Sequence, residues 1–266
     1  MQHKGVLVTA LLTAVATAVT VLGPTGPATA ASAGRIGPGT QMVTDGRGCT
    51  ANFVFRDGRR RLYVGYAASC ALRRAASGGN ACSARALPRG TRVRFADRGR
   101  TVGFGRLRYS SLRAMRRSGV TDSATCAAND FALVRVRGAA RQRVVSSVPY
   151  WGGPNALGAL PAPGTTVFGL ARRSTAARTI PRVGEVATAS GLTATVSTPL
   201  PSTRAARGSG FLDSGGRAIG ILTASTAAGD NTVVSLARAV SFARGHGVAG
   251  LRLKRGKAPF SGSAIL

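Results

Sequence analysis

Proton transfer near neutral pH rests most often on imidazole, and this 266-residue chain carries two histidines, His3 and His246. Only His246 lies beyond the first thirty residues. It directly follows an amphipathic segment and reads as a helix-end cation rather than a general base. Lysine acts as a base only when desolvated beside a nucleophile. Lys254 and Lys257 stand after that same segment and are poor partners for a Ser–Lys dyad. The carboxylates number 8, too few to build a calcium site readily. The cysteines are Cys49, Cys70, Cys82 and Cys126, with no Cys-x-x-Cys spacing and one histidine to share, which argues against zinc. No metal and no cofactor is expected.

The first thirty residues read as a secretory signal peptide. His3 and Lys4 form a short basic region, Val6 to Leu22 is apolar and alanine-rich, and Ala28-Thr29-Ala30 is a small-x-small cleavage site, with Ala31-Ser32-Ala33 as an alternative. A membrane anchor fits less well, because the apolar run is studded with Thr and followed by Gly23-Pro24. No later segment approaches the length a membrane span needs. The expectation is a soluble, secreted, extracellular protein. An even cysteine count in an exported chain favours two disulfides, and four cysteines allow three pairings.

The net charge is +29, nearly all of it arginine, and falls to +28 with the loss of Lys4. Such a surface attracts polyanions: nucleic acid, anionic cell-wall polymer or acidic membrane. The competing explanation is compositional, since abundant Arg, Ala and Gly with scarce Lys is what a GC-rich genome encodes. The basic residues are scattered (Arg59 to Arg61, Arg73-Arg74, Arg116-Arg117, Arg172-Arg173). Aromatic residues for base stacking make up 5% of the chain, and no nucleic-acid motif is present.

These residues must be positioned by strands. After a leader at 31–40, short apolar runs alternate with turn residues from Gln41 onward, the pattern of an antiparallel sandwich or barrel. Cys49 to Phe55 and Leu62 to Ala67 flank Arg56-Asp57-Gly58-Arg59, a hairpin with an Asp-Gly turn. Thr91 to Phe95, Val102 to Arg108 and Phe131 to Val136 continue as strands. Thr165 to Leu170, Gly184 to Ala189, Leu192 to Thr198, Gly210 to Leu212, Ala218 to Thr223 and Thr232 to Val234 do so in the second half. Leu236, Ala239, Val240 and Ala243 have helical spacing, with Ser235 able to cap the start and Gly245 to end it. Ser111 to Arg117 is a weaker helical turn. No internal repeat stands out.

Several segments, in order, resemble the secreted bacterial trypsin-like serine proteases of the chymotrypsin superfamily. They are Gly39-Thr40-Gln41-Met42, Cys49-Thr50-Ala51-Asn52-Phe53-Val54-Phe55, Ala67-Ala68-Ser69-Cys70, Asn129-Asp130-Phe131-Ala132-Leu133-Val134, Trp151-Gly152-Gly153-Pro154, Gly208-Ser209-Gly210-Phe211-Leu212-Asp213 and Gly220-Ile221-Leu222. The resemblance covers most of the chain after the signal. It implies an all-β fold of two antiparallel six-stranded barrels with a C-terminal α-helix, at about 41–140 and 141–266, and a cleft between them. It also implies the pairings Cys49–Cys70 and Cys82–Cys126.

The resemblance places three catalytic positions, and two hold the wrong residue. The histidine position is Ser69, the aspartate position is Asp130, and the nucleophile position, laid without gaps on Ala205-Ala206-Arg207-Gly208-Ser209-Gly210, is Arg207. A serine hydroxyl cannot take and return a proton as imidazole does, and a guanidinium is no nucleophile. Ala205 replaces the glycine of the oxyanion hole, where a Cβ is expected to strain the backbone by ~1 kcal/mol or more. Ala206 replaces the aspartate that a new amino terminus would seek, so Arg35-Ile36-Gly37 reads as a chance likeness to a zymogen cleavage site. Arg207 is expected to reach Asp130 as a replacement ion pair.

The expected function is therefore an inactive protease homologue acting as a monomeric binding protein, with a peptide or protein in the cleft or a polyanion on the arginine-rich surface. The alternative is an active serine endopeptidase using Ser209, since a two-residue slip keeps the same strand faces buried. Its base would be unrecognised. A third possibility is a decaying paralogue. Gly220 to Gly229, with Thr223, falls where relatives build their specificity pocket, and its preference is not legible.

Overall fold

The computed structural model describes residues 34–73, 82–172, 179–199 and 202–262; the signal segment and its cleavage sites, Arg74 and Arg173 lie outside the described residues. The N-terminal half contributes β1 (Gln41–Thr44), β2 (Arg47–Thr50), β3 (Val54–Arg56), β4 (Leu62–Tyr66), β5 (Arg92–Asp97), β6 (Arg100–Ser110) and β7 (Ala132–Val136), with α1 (Ser111–Arg117) and α2 (Ser123–Ala128) between the last two. The C-terminal half contributes β8 (Thr166–Arg172), β9 (Thr179–Ala189), β10 (Thr193–Ser197), β11 (Gly210–Asp213), β12 (Ala218–Ser225) and β13 (Asp230–Ser235), then α3 (Leu236–Gly245) and a short β14 (Arg252–Leu253).

All ladders are antiparallel. The second set closes into a six-stranded barrel in the order β10-β13-β12-β11-β8-β9. The first sheet runs β14-β3-β4-β7-β6-β5-β1-β2. Its two ends meet, because β2 and β3 are halves of one extended stretch. Ala51 exchanges backbone bonds with Gly39 and Thr40 on the β1 side, while Asn52 and Phe53 bond Gly65 of β4. Counting that stretch once gives six strands around the N-terminal barrel, and β14 brings the chain's end back onto it.

Alternation in the strands fills each barrel. Met42, Val64, Phe95, Leu107 and Val134 pack in the first; Val167, Val196, Phe211, Ile219 and Val233 pack in the second. A third cluster draws on both halves and on α3, with Phe55, Phe131, Trp151, Phe168 and Val240 among its members. The ring of Phe131 meets that of Phe55 edge-on at 5.4 Å, and Trp151 meets Phe168 likewise at 5.1 Å. Apolar faces of the two halves thus bury one another, which fixes the groups each carries towards the boundary.

The expected helices form. Ser235 accepts from the Arg238 amide, and Leu236, Ala239, Val240 and Ala243 are buried. Sequence reading passes over α2, whose six residues Ser-Ala-Thr-Cys-Ala-Ala show no amphipathic period; Asp122 caps it through the Thr125 amide. The structure also shows a repeat that the sequence hides. At the β3–β4 turn, Asp57 accepts from the Arg59 and Arg61 amides and from Arg61 Nε. At the β11–β12 turn, Asp213 accepts from the Gly215 and Arg217 amides and from Arg217 Nε. One Asp-x-x-x-Arg hairpin clasp serves each barrel.

The two disulfides are Cys49–Cys70 and Cys82–Cys126. The first ties β2 to the 3₁₀ turn Ala68–Ala71 that follows β4, and the second ties residue 82 to α2.

Candidate functional site

β4 runs out at Tyr66, and the chain turns at once into the 3₁₀ segment Ala68–Ala71. Ser69 sits in that turn, braced by the neighbouring Cys70 disulfide. Asp130 stands just before β7, which pairs with β4 in register Tyr66↔Ala132. The ladder therefore delivers Ser69 and Asp130 to the same end of the barrel. Ser69 N donates to Asp130 Oδ1 at 2.7 Å, and Ser69 Oγ donates to Oδ2 at 2.7 Å. Asp130 is buried. Burial pushes its carboxyl above the ordinary value, opposed by the hydrogen bonds from Ser69, the charge of Arg207 and the Ala68 amide.

Arg207 reaches the same group from the other half of the molecule. Its Nη1 donates to Ser69 Oγ at 3.3 Å. The hydroxyl thus accepts from the guanidinium and donates to the carboxylate. The three residues singled out in the sequence lie together, but the expectation from sequence is that Arg207 meets Asp130 directly. That ion pair is not among those formed by the described residues. The Ser69 amide and hydroxyl bond one carboxylate oxygen each, and the arginine lies on the serine hydroxyl.

The backbone around Arg207 is committed as well. Residues Arg204–Ala206 coil into a 3₁₀ turn in which the Arg207 amide bonds the Arg204 carbonyl at 3.2 Å and the Ala206 amide bonds Thr203 at 2.9 Å. Thr50 of β2 grips the loop from the first barrel, its Oγ1 donating to Ala205 O at 2.7 Å and its amide to Arg207 O at 2.8 Å. Gly208 has φ +92, and a Cβ there would lie 2.5 Å from Thr50 O, so only glycine fits. The strain expected at Ala205 is absent: its φ is not positive, because the 3₁₀ turn keeps it in helical geometry.

The sequence reading lays Arg207 on the nucleophile position, whose amide an oxyanion hole would use. Here the Arg207 amide is spent inside the turn. Ser209 is fully buried and its hydroxyl has no hydrogen-bond partner. His246 caps α3, donating Nδ1–H to Phe242 O at 2.8 Å and stacking on the Phe242 ring at 3.9 Å. Lys254 does meet a serine, with Nζ 3.0 Å from Ser146 Oγ, and burial, then Arg56 and Lys257, lower its pKa. Ser146, however, is buried and gives its proton to the Arg255 carbonyl, so the pair lacks a free nucleophile. Ile36 is buried with its amide on Arg143 O, and Ala206 offers no carboxylate.

One buried charge gives no signal in the sequence. Arg182 of β9 donates Nη1 to Ser202 and, at 3.1 Å, to Asn231 Oδ1, while Nε and Nη2 have no partner. Burial pulls its pKa down to about 10. Nothing in Thr179-Ile180-Pro181-Arg182 distinguishes an inward from an outward arginine, and only closure of the barrel decides it. The expected specificity region lies on β12 and the following turn, where Thr223 Oγ1 bonds Thr232 O at 3.3 Å.

The bonding around Asp130 has a direct consequence for stability. Asp130→Ala strips the acceptor from the Ser69 and Ala68 amides and should cost about 2–3 kcal/mol. Asp130→Asn retains an acceptor oxygen and removes the buried charge, so it should stay within about 1 kcal/mol of the parent at pH 7. A folded-state pKa raised above the unfolded 3.8 means the folded carboxyl holds its proton to higher pH. Its contribution is then most favourable at low pH and is lost as pH rises through the folded value. The parent should therefore gain on Asp130→Asn as pH is lowered through that range. Urea unfolding of the three proteins at pH 7 and pH 4 checks this; equal losses for Ala and Asn would contradict the bonding described.

Three solved structures illustrate what the chain is similar to. Protease A of Thermobifida fusca is 17% identical, covering 84% of this chain and 100% of that one, with TM-score 0.51. A Glu endopeptidase is 15% identical over 76% of this chain and 86% of its own, with TM-score 0.52. A glutamic acid-specific serine protease that uses a histidine triad in substrate binding is 18% identical over 82% of this chain and 100% of its own, with TM-score 0.51. The chain has the two-barrel fold of these trypsin- and chymotrypsin-like serine proteases. No protein-family model and no curated protein sequence matches it.

Proposed function

We propose that this chain is a secreted protease homologue without proteolytic activity, a monomeric binding protein on a serine-protease scaffold. One observation carries the reading: the guanidinium of Arg207, the residue that the gap-free resemblance lays on the nucleophile position, lies on Ser69 Oγ, and its amide lies on Arg204 O. A nucleophile needs a free hydroxyl, a base within hydrogen-bond reach and donors for the developing oxyanion. Ser69 has its proton on Asp130, and a carboxylate that binds this serine so tightly is being used to hold a turn. Ser209, the alternative nucleophile, is sealed from solvent with no base against it. Export is supported by the signal-like first thirty residues and by two disulfides, which persist in oxidising compartments.

The test is fluorophosphonate labelling of the oxidised, secreted chain, with peptide mapping beside an active serine protease. The expected result is no label at any serine of this protein. Stoichiometric label on Ser209 would overturn the reading and make the chain an endopeptidase with a base other than His246.

A further inference from the structure

The outer face of the N-terminal barrel carries an arrangement the cleft does not explain. Register places Arg92 of β5 opposite Arg106 of β6, and Arg106 opposite Arg135 of β7. Three guanidinium-bearing residues thus stand in one row across adjacent strands, about 4.8 Å apart from strand to strand. Like charges directly opposite one another on a sheet are unfavourable, and the usual remedy is an intervening carboxylate. None of these three has one within ion-pair distance among the described residues; the nearby Asp57 is committed to Arg61 and Tyr63. Burial, then the adjacent Arg137 charge, pull Arg135 below the ordinary arginine value.

Two concave regions meet at this row. One, of about 480 Å³, lies between Arg59–Arg61 and the stretch Arg135–Arg141. The other, of about 270 Å³, lies between Arg92, Phe104 and Arg106, and both share Arg135 and Arg137. The result is a continuous arginine-walled groove. Its strands are the same β4 and β7 that carry Ser69 and Asp130, but it sits at their opposite ends, where β4 begins and β7 finishes. A ligand there leaves the cleft untouched.

We infer that this groove binds a linear, base-free phosphodiester polymer, a polyol-phosphate chain of the cell-wall type. Guanidinium groups at regular spacing with no carboxylate partner suit successive phosphates, Arg135 through a two-pronged contact and Arg106 through the donors left by its Nη1 bond to Gly90 O at 2.9 Å. The groove's two hollows, a few hundred cubic ångströms each, admit a thin chain. Single-stranded nucleic acid fits less well, because it needs successive rings for successive bases. Phe104 is the one aromatic among the exposed large hydrophobics described, and Arg92 lies over its ring at 3.6 Å from the centroid. The inference names a ligand for the proposed binding role; its test is independent of that role's, since the groove would bind equally on an active enzyme.

Titration calorimetry of the full secreted chain with lipid-free poly(glycerol phosphate) tests it, beside a single-stranded oligonucleotide of equal phosphate number and free inorganic phosphate. The polymer should bind the parent, and Arg135→Gln/Arg137→Gln should weaken it at least tenfold. The dependence of log K on log salt should become shallower by about 0.7 per arginine removed. Arg116→Gln/Arg117→Gln, an exposed pair on α1 removing the same charge, should change affinity less than twofold. Arg135→Lys/Arg137→Lys keeps the charge, loses the fork and should fall between. Relief of like-charge contact should leave the Gln variant melting no lower than the parent, and the exposed single Arg137→Gln serves if it does not fold. Three outcomes overturn the inference: no polymer binding by the parent at low salt, equal weakening by the α1 pair, or oligonucleotide binding as tight as the polymer's with the same variant dependence.

Discussion

Ser69→His with Arg207→Ser, the two side chains that the family resemblance would place beside Asp130 in a triad, should give a protein that fluorophosphonate labels only slowly. The substitution supplies a base beside Asp130 and a hydroxyl in place of the Arg207 guanidinium, yet it leaves the loop as it stands. The Arg207 amide is bonded to Arg204 O, the loop is held by Thr50 on both Ala205 O and Arg207 O, and Ala206 provides no carboxylate to draw the segment into another shape. Phosphonylation of the serine, with loss of fluoride, then proceeds without one of its preorganised donors, and a single such donor is worth about 10²–10³ in rate. Adding Ala205→Gly and Ala206→Asp should recover a factor of that order, because glycine frees the backbone to turn its amide towards the cleft. Labelling rates of the parent, double and quadruple variants decide the matter. A double variant as fast as the quadruple one would show that the 3₁₀ turn is no barrier, and that only two side chains separate this chain from activity.

That prediction depends on a geometry only partly legible in the sequence. The strands and α3 follow from short-range pattern: apolar alternation, an Asp-Gly turn, and Ser235 capping a helical period. The convergence of Ser69, Asp130 and Arg207 is legible only through the family order of motifs, since 138 residues separate Ser69 from Arg207. The route of the hydrogen bonds is not. Whether Arg207 meets the carboxylate or the hydroxyl depends on how the Ala68-Ser69 amides cap Asp130, a matter of ångströms that residue types do not encode. The 3₁₀ turn at Arg204–Ala206 is hidden for a similar reason: its bonds go to Thr203 and Arg204, while Thr50 grips it from the other barrel. Arg182 and the Arg92–Arg106–Arg135 row share a further cause. Arginine at alternate strand positions looks the same whether it faces solvent, a barrel interior or two like neighbours, and register alone separates those cases.

Removing the disulfides should produce the largest losses of stability. Cys49 and Cys70 stand 21 positions apart in sequence, and Cys82 and Cys126 stand 44 apart. Closing loops of these lengths lowers the entropy of the unfolded chain enough to stabilise the fold by about 3 and 4 kcal/mol in turn. Paired Cys→Ala variants should therefore lose those amounts, with the longer loop losing more, read from urea unfolding with an m-value that rises as the unlinked unfolded chain exposes more surface. The two loops occupy separate stretches of sequence, so the losses should add to within about 0.5 kcal/mol in the quadruple variant. About 7 kcal/mol is a large part of a typical domain's whole stability, so the fully reduced protein should be largely unfolded at 37 °C. The second bond has a local effect too. Cys126 lies on α2, four residues before Asp130, so its loss should loosen the segment that presents the carboxylate to Ser69. The Asp130→Asn substitution should accordingly change stability less in the Cys82→Ala/Cys126→Ala background than in the parent. Equal effects in both backgrounds would confine that disulfide to an entropic tie on the unfolded chain, with no part in holding the site.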